Sequence, residues 1–238
     1  MQSERELREL ICSVGRLMYK QGYVDGTAGN ISARLREDRV LVSPSGLATG
    51  FLAPEQLIVV NLAGERVDEP CTANADLRPT SEISMHLECY RQRNDVMGVV
   101  HAHPPTAVAL TLVGFDFQQC LIPEMVVLLG MAPTAPYSTP SSKENRDAIT
   151  QLIREHDAIM LSNHGSLTVA KTLWDAYLML ESLEHNAGII HRALQVSGDL
   201  KAIPADKIEK LVEFREQFGL LRPGDRERFA RYIERHEQ

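Results

Sequence analysis

The sequence lacks a long hydrophobic run and an excess of positive charge. Its longest nearly apolar stretch, Met125 to Pro133, is far shorter than the ~20 apolar residues that a membrane-spanning helix needs. The 25 lysines and arginines are outnumbered by 32 aspartates and glutamates, which leaves a net charge of −7 and no basic cluster. Because proteins that bind nucleic acids present a basic patch to the phosphate backbone, we expect neither a nucleic acid nor a membrane as a partner.

Cysteine is also scarce, and its distribution argues against a secreted protein held together by disulfides. The chain has four cysteines, which are scattered and form no Cys-x-x-Cys pair. Cys12 and Cys89 lie on apolar helical faces, where a cysteine acts as a small core residue. The first residues contain no apolar segment of the kind that forms a secretory signal. We therefore expect reduced thiols and a cytoplasmic location.

What the sequence does contain is the composition of an ordinary globular protein. Its 238 residues are 44% hydrophobic and 24% charged, which is enough to build a sizeable core. No stretch rich in proline, glycine and serine separates two hydrophobic halves. We therefore predict one domain over residues 1–238, to which the C-terminal helices of residues 204–236 are appended.

Hydrophobic periodicity predicts helices and short strands in irregular alternation. Predicted helices cover residues 3–21, 79–91, 145–156, 172–196, 204–218 and 226–236, and a further helix starts at Pro104-Pro105. Predicted strands cover residues 31–35, 39–43, 57–61, 96–103, 158–162 and 167–170. Residues 121–129 are apolar throughout, and their periodicity leaves strand and helix open. Because regular strand–helix alternation is missing, we predict a three-layer α/β/α domain with a mostly antiparallel central sheet.

Three histidines form a candidate metal site. His101 and His103 follow an apolar run and are two residues apart, so a strand would place both imidazoles on one face. Two hydrogen-bonded histidines at a sheet edge would explain that pair equally well. His164 follows another apolar strand and precedes Gly165, which permits a sharp turn, although a solvent-exposed loop histidine would fit too. Three neutral imidazoles with one open position are typical of a catalytic zinc site.

A carboxylate lies where it can join these histidines. Glu82 falls in the first turn of a predicted helix, where an acid is favourable by about 0.3–1 kcal/mol whether or not it has a function. The functional interpretation makes Glu82 a fourth ligand or a general base. His86 lies one turn further on, and we expect it to support the site or the core rather than bind the ion.

Three small polar clusters can hold a phosphate group. They are Gly29-Asn30, Ser45-Gly46 and Thr80-Ser81. The third is at a predicted helix N-terminus, where free N–H groups attract anions, and glycine amides and hydroxyls can complete such a site. Each cluster alone is also what an ordinary turn contains.

Five segments taken together resemble the class II aldolase/adducin superfamily, in particular its fuculose-1-phosphate aldolase group. The segments are residues 26–32 (GTAGNIS), 43–46 (SPSG), 79–82 (PTSE), 100–103 (VHAH) and 163–165 (NHG). They follow the order and spacing of the family from about residue 5 to about residue 195. The resemblance implies the same three-layer α/β/α fold.

The resemblance also implies roles for individual residues. It implies a metal site formed by His101, His103 and His164, with Glu82 as a further metal ligand and the catalytic carboxylate. The phosphate-binding positions that it implies are Asn30, Ser45, Gly46, Thr80 and Ser81. The ion would be Zn²⁺ or another divalent cation such as Mn²⁺ or Co²⁺, since three imidazoles suit several ions. A homotetramer with active sites between subunits is implied as well.

The resemblance implies a metal-dependent aldolase, which is a class II aldehyde-lyase. It would cleave a ketose 1-phosphate similar to L-fuculose 1-phosphate into dihydroxyacetone phosphate and an aldehyde by retro-aldol chemistry. The superfamily also contains an epimerase, decarboxylases, a methylthioribulose-phosphate dehydratase and the metal-free head of adducin. Another sugar-phosphate lyase is therefore the main alternative. Because the three histidines are retained, a non-catalytic scaffold like adducin is the less favoured one.

The chain departs from the fuculose aldolase pattern at two positions. A tyrosine is expected near Val127 and another near Phe218, and both hydroxyls are missing. Glu124 and Tyr137 are candidates for the replacement acid. A surface glutamate and a packing aromatic are equally good interpretations of these two residues.

Overall fold

The computed structural model describes residues 2–236. Its α-helices are α1 (Glu4–Lys20), α2 (Ile83–Gln92), α3 (Pro105–Leu112), α4 (Lys143–Thr150), α5 (Leu173–Ser197), α6 (Ala205–Gln217) and α7 (Asp225–His236). Its strands are β1 (Asn30–Arg36), β2 (Arg39–Val42), β3 (Ile58–Asn61), β4 (Gly98–Ala102), β5 (Thr134–Ala135), β6 (Ala158–Leu161) and β7 (Gly165–Ala170). Short 3₁₀ turns lie at Thr49–Phe51, Pro54–Gln56 and Leu152–Arg154, and a π-helical turn lies at Met125–Leu129.

The seven strands form one sheet in the order β3-β2-β1-β4-β7-β6-β5. Every neighbouring pair is antiparallel except β5 with β6. The predicted mostly antiparallel sheet is therefore confirmed. Strands β1, β4 and β7 lie in its middle, and their residues are buried almost throughout, as expected for strands covered on both faces.

Helices cover both faces of this sheet, so the predicted three layers are confirmed. On one face, α1 and the first half of α5 pack on alternate residues of β1 and β4, such as Ile31 and Val100. Helix α3 and the second half of α5 extend this layer over Ala158 and Met160 of β6. On the other face, α2 and α4 pack on the opposite side chains, which include Val99 of β4. The alternation of buried residues along each strand follows from its two-residue period.

Several predicted boundaries differ from the structure. Helix α2 begins at Ile83 rather than within residues 79–82, because the Thr80 backbone N–H is bonded to the Ser43 carbonyl at 3.1 Å and the chain is still extended there. Strand β7 begins at Gly165, two residues before its predicted start. The helix predicted over 145–156 ends at Thr150 and continues as a 3₁₀ turn. The two-residue strand β5 was too short to show a period.

The C-terminal helices pack on the segment that the sequence left undecided. Within residues 121–129 the structure has a π-helical turn, against which α6 packs. A small apolar cluster joins this region to both helices, formed by Cys120, Val126, Met131, Ile208, Val212 and Phe229. The division of the chain into one domain with residues 204–236 as an appendage stays a prediction.

Buried ion pairs hold this C-terminal part in place. Arg215 of α6 is buried with Asp225 at the start of α7, at 2.8 Å, and donates to the Val127 carbonyl at 2.9 Å. Asp157, just before β6, pairs with Arg222 and with Arg93, each at 2.6 Å. Because each of these charges faces an opposite charge, none is buried alone.

The structure also bears on the cysteines and on the length of the helices. Cys12 and Cys89 are buried core residues, as predicted, and all four thiols are free of disulfides. Within residues 2–236, the structure has no helix with the length and apolar character that crossing a membrane requires.

We predict that Asp225→Asn lowers the free energy of unfolding by about 3–5 kcal/mol, because Arg215 would then be buried without a counter-charge. Burial alone would raise the pKa of Asp225, but Arg215 and the hydrogen bonds to it hold that pKa below its ordinary value. The pair therefore stabilises the fold above the ordinary carboxyl pKa, and this contribution is lost as the pH falls through the lowered value. Urea unfolding at neutral and acid pH measures both effects.

The control for this prediction is Asp206→Asn, which removes an exposed acid that pairs with Lys207 in α6. Exposed pairs contribute little, so its unfolding midpoint should equal that of the unmodified protein. If Asp225→Asn unfolds at the same urea concentration as this control, the buried pair does not hold the C-terminal helices.

Candidate active site

The candidate site forms where two antiparallel strands meet. Strand β4 ends at Ala102 and β7 begins at Gly165, and the register pairs Ala102 with Ser166. The turn that precedes β7 therefore lies beside the end of β4. In this turn Asn163 has a φ of 57°, a left-handed conformation that asparagine tolerates better than most residues. As a result, His164 of the turn faces the two histidines at the end of β4.

The structure brings His101, His103 and His164 together. One ring nitrogen from each lies within 4.8 Å of those of the other two. The Nε2 atoms of His101 and His103 are 3.1 Å apart, and the ring centroids of the three pairs are separated by 4.8–5.0 Å. His101 is fully buried, and the other two are partly exposed, so the cluster opens to solvent on one side.

Hydrogen bonds and burial set the protonation of these rings. The Nδ1 atom of His101 lies 2.9 Å from the Ser166 carbonyl and therefore donates to it, which leaves Nε2 facing the other histidines. Burial, followed by the charge of His101, lowers the pKa of both His103 and His164 to about 4. Both rings are thus neutral at physiological pH, which is the form that binds metal ions.

Glu82 closes the cluster as the N-cap residue of α2. Its Oε2 atom lies 3.0 Å from His101 Nε2 and accepts a hydrogen bond of 2.9 Å from Asn30 Nδ2. Its Oε1 atom is 3.6 Å from His164 Nε2, is buried, and has no hydrogen-bond partner among the described residues. Burial alone would raise the pKa of Glu82, but the charge and hydrogen bond of His101 hold that pKa well below its ordinary range.

This set of atoms fits a divalent cation. Three imidazole nitrogens and a carboxylate oxygen are ligands that Zn²⁺ and similar ions accept. The buried Oε1 of Glu82 lacks a donor, and an unsatisfied buried carboxylate oxygen is costly. Burial alone would lower the pKa of His101, but the charge of Glu82 and the hydrogen bond with its carboxylate raise that pKa. Positive charge is thus favoured at the point where the three rings and Glu82 meet.

The residues predicted to bind phosphate lie side by side. Ser43 joins their segments, because its hydroxyl accepts from the Ile31 N–H at 3.1 Å and its carbonyl accepts from the Thr80 N–H at 3.1 Å. Ser45 donates its N–H to the Arg78 carbonyl at 2.9 Å. Ser45, Gly46 and Ser81 are exposed, whereas Thr80 is buried and its hydroxyl accepts from the Glu82 N–H at 3.3 Å.

Asn30 differs from the other predicted phosphate-binding residues. Its side chain is buried, and both ends of its amide are already bonded, Nδ2 to Glu82 and Oδ1 to His86 Nε2 at 2.5 Å. Asn30 lies between His86 and Glu82, so His86 is not part of the cluster of three histidines. The Nδ1 atom of His86 is 2.7 Å from Ser32 Oγ.

Two residues next to the site were missed in the sequence. Ser32 lies two residues after Asn30 on β1, so the strand period could have placed both on one face. Glu184 of α5 accepts the backbone N–H groups of Thr106 and Ala107 at 2.9 and 2.8 Å, and so caps the helix that follows His103. No local pattern signals this second contact, because the partners are 77 and 78 residues apart.

Both candidates for the replacement acid are on the surface. Glu124 lines a shallow groove of about 420 Å³ together with Val127 and Phe218, the two positions where a tyrosine was expected, and none of the three histidines lines this groove. Tyr137 is 61% exposed and follows β5, whose Ala135 carbonyl accepts from the Ser162 N–H of the His164 turn at 3.2 Å.

Comparison with known proteins identifies the family to which this chain belongs. A family model described as the class II aldolase and adducin N-terminal domain matches residues 9–191, most of the chain. The chain therefore belongs to this family, and the resemblance drawn from its five segments is confirmed.

Particular relatives are similar over nearly their whole length. The 5-deoxy-D-ribulose 1-phosphate aldolase of Bacillus thuringiensis serovar kurstaki is 33% identical over 217 residues, which cover 89% of this chain and 96% of that protein. The 3-oxo-tetronate 4-phosphate decarboxylase of Pectobacterium atrosepticum is 31% identical over 217 residues, which cover 89% of this chain and 94% of that protein. These names are those of lyases, which supports an enzyme.

Solved structures share the fold. The crystal structure of YgbL from Escherichia coli has a TM-score of 0.79 and 29% identity, with 88% of this chain and 99% of that one covered. The L-fuculose-1-phosphate aldolase of Thermus thermophilus has a TM-score of 0.68 and 29% identity, with 82% of this chain and 98% of that one covered.

We predict that Gly165→Ala weakens divalent-cation binding by about tenfold or more, the usual effect of disturbing residues that orient metal ligands. A Cβ atom at this position would lie 2.4 Å from the Ala102 carbonyl oxygen and 2.8 and 3.0 Å from ring carbons of His103 and His101. Both histidines must therefore shift. Isothermal titration with Zn²⁺ on the chelator-treated protein measures the change.

The matched control is Gly188→Ala, at a helical position in α5 where an added Cβ meets only Arg192, at 3.8 Å. It should bind Zn²⁺ as the unmodified protein does and be slightly more stable, because alanine favours a helix over glycine by about 1 kcal/mol. Equal Zn²⁺ affinity in both variants would show that the histidines do not form the cation site.

Proposed function

We propose that this protein is a metal-dependent aldolase. It cleaves a ketose 1-phosphate similar to L-fuculose 1-phosphate into dihydroxyacetone phosphate and an aldehyde. One observation carries this proposal: Glu82, with a free buried oxygen, meets three clustered imidazoles directly beside exposed hydroxyl and amide groups that suit a phosphate. The phosphate group and the ketone of such a substrate would thereby be bound at neighbouring points.

His101, His103 and His164 would hold the cation together with Glu82, and Zn²⁺, Mn²⁺ or Co²⁺ would suit these ligands. When bound, such an ion supplies Lewis-acid stabilisation of the enediolate that forms as the C3–C4 bond breaks. His101 would bind the ion through Nε2. The ring is held in this orientation because Nδ1–H, on its other side, donates to the Ser166 carbonyl.

Glu82 is proposed to handle the proton at C3. Cleavage removes a proton from the C4 hydroxyl as the C3–C4 bond breaks, and C3 then gains a proton to give dihydroxyacetone phosphate. Oε2 of Glu82 is held by Asn30, so Oε1 is the oxygen that can carry the proton to C3. Glu124 and Tyr137 are the proposed candidates for the proton at the C4 hydroxyl.

The phosphate is proposed to bind at Ser45, Gly46, Thr80 and Ser81, together with Asn30. Gly46 has a φ of 78° and no neighbour within 4 Å of an added Cβ, so its backbone can approach a bound group closely. Ser81 precedes the N-terminus of α2, where the helix dipole favours an anion. The amide of Asn30 would have to exchange one of its present partners to reach a phosphate.

A decarboxylase is the second candidate, because several relatives bear that name and one of them is similar over 217 residues. It would use the same enolate chemistry, as would a methylthioribulose-phosphate dehydratase. Released CO₂ identifies the decarboxylase and a diketone the dehydratase. A scaffold like adducin would purify without stoichiometric metal.

We also propose a cytoplasmic homotetramer with active sites between subunits. The four free thiols suit a reducing compartment. Several large side chains are exposed, and they would suit contacts between subunits: Phe51, Leu112, Val113, Trp174, Val196 and Phe218.

We predict that the zinc-loaded protein releases dihydroxyacetone phosphate from a ketose 1-phosphate. The screen uses L-fuculose 1-phosphate and 5-deoxy-D-ribulose 1-phosphate, the second chosen because a relative is named for it. A coupled assay for dihydroxyacetone phosphate and removal of the ion with a chelator measure product and metal dependence. Turnover that survives full removal of the metal would refute the mechanism.

We predict that Glu82→Gln slows cleavage by about 100-fold or more, the usual range for a lost general acid–base group, while Zn²⁺ still binds. It should also abolish the exchange of the C3 proton of dihydroxyacetone phosphate with D₂O, which NMR follows without any aldehyde present. The control is Glu88→Gln, on the same helix but bonded to Gln92 at 2.7 Å. Exchange that persists in Glu82→Gln at the rate of the control would remove Glu82 from this step.

A further inference from the structure

A chain of buried hydrogen bonds runs to Glu82 from the core. Tyr90 OH is 2.9 Å from Ser32 Oγ, which is 2.7 Å from His86 Nδ1. His86 Nε2 is 2.5 Å from Asn30 Oδ1, and Asn30 Nδ2 is 2.9 Å from Glu82 Oε2. The relative exposure of Tyr90, Ser32 and His86 is 1%, 0% and 0%, so these bonds have no competition from water.

The direction of every bond in this chain follows from its last member. The Glu82 carboxylate can only accept, so Asn30 must turn its NH₂ group towards it. Asn30 Oδ1 then faces His86 and needs a donor there, which requires a proton on His86 Nε2. Burial, followed by the charge of His101, lowers the pKa of His86 to about 3, so the ring is neutral and Nδ1 carries no proton. Ser32 therefore donates to Nδ1 and accepts from Tyr90.

We infer that His86 is a positioning residue for Glu82. Its Nε2–H holds the Asn30 amide in the one orientation that donates to Oε2, and Ser32 and Tyr90 select the tautomer of His86 that can do this. Oε2 is thereby fixed and Oε1 stays free. The inference rests on the proposed function only for the use that the reaction makes of Oε1.

The alternative orientation shows why His86 matters. If the Asn30 amide flipped, its oxygen would face the Glu82 carboxylate, and two acceptors would lie in contact. That arrangement would also require His86 to carry its proton on Nδ1 and Ser32 to donate to Tyr90. The tautomer of His86 thus reports the orientation of Asn30.

The kinetic test compares His86→Leu with His86→Gln in the zinc-loaded enzyme, on L-fuculose 1-phosphate or 5-deoxy-D-ribulose 1-phosphate, whichever is cleaved faster. Leucine removes the donor, whereas a glutamine NH₂ group can take the place of Nε2–H. We expect His86→Leu to lower kcat by about tenfold or more, the usual effect of losing an orienting partner, with an unchanged KM. His86→Gln should recover most of kcat, and equal losses in both variants would overturn the inference.

The matched controls are His156→Leu and His156→Gln, which change a buried histidine that precedes β6 and lies outside this chain of bonds. Each control variant should have the kcat of the unmodified enzyme when activity is divided by the concentration of folded protein. This should hold even if the variant unfolds at a lower urea concentration. A kcat loss in His156→Leu equal to that in His86→Leu would show a general effect of removing buried histidines and would overturn the inference.

The second test needs no substrate. Nitrogen-15 NMR of the histidine-labelled, chelator-treated protein should show His86 as the neutral ring with hydrogen on Nε2, and the assignment follows from the signal lost in His86→Gln. An Nδ1–H ring would overturn the inference even in an active enzyme. If no ketose 1-phosphate is cleaved, the proposed function fails, and the tautomer still decides the orientation of Asn30.

Discussion

Antiparallel pairing of β4 with β7 is the interaction on which the site depends. His101 lies in β4 and His103 directly follows it, and the third histidine lies in the turn that precedes β7, so residues far apart along the chain meet. A shift of the register by one residue would turn His101 away from the site, because side chains alternate between the two faces of a sheet. The same pairing brings Ser166 to His101 and so sets its tautomer.

The site concentrates groups that are costly to bury together. A carboxylate with an unsatisfied oxygen and three imidazoles meet at one point beside a sheet whose buried residues are largely apolar. A ligand that binds only the folded chain stabilises it, so a cation at this point would offset part of that cost.

Much of this arrangement follows from local sequence. The two-residue spacing of His101 and His103 at the end of β4 brings their rings together, and Ser3 with Glu6 forms a capping box at the start of α1. Other features depend on contacts between distant segments. The start of α2 at Ile83 follows from the bond between Thr80 and Ser43, and no local pattern encodes that bond. The place of His86 behind Asn30 likewise follows from the packing of α2 on the sheet.

Asp157 is a buried carboxylate that connects several segments of the chain. Its carboxylate holds Arg93, which ends α2, and Arg222, which precedes α7. Glu82 caps the N-terminus of α2 and Arg93 follows its C-terminus, while β6 leads from Asp157 towards the turn of His164. One buried carboxylate therefore joins the segments that lead to Glu82 and to His164, and through Arg222 it also joins them to the C-terminal helices.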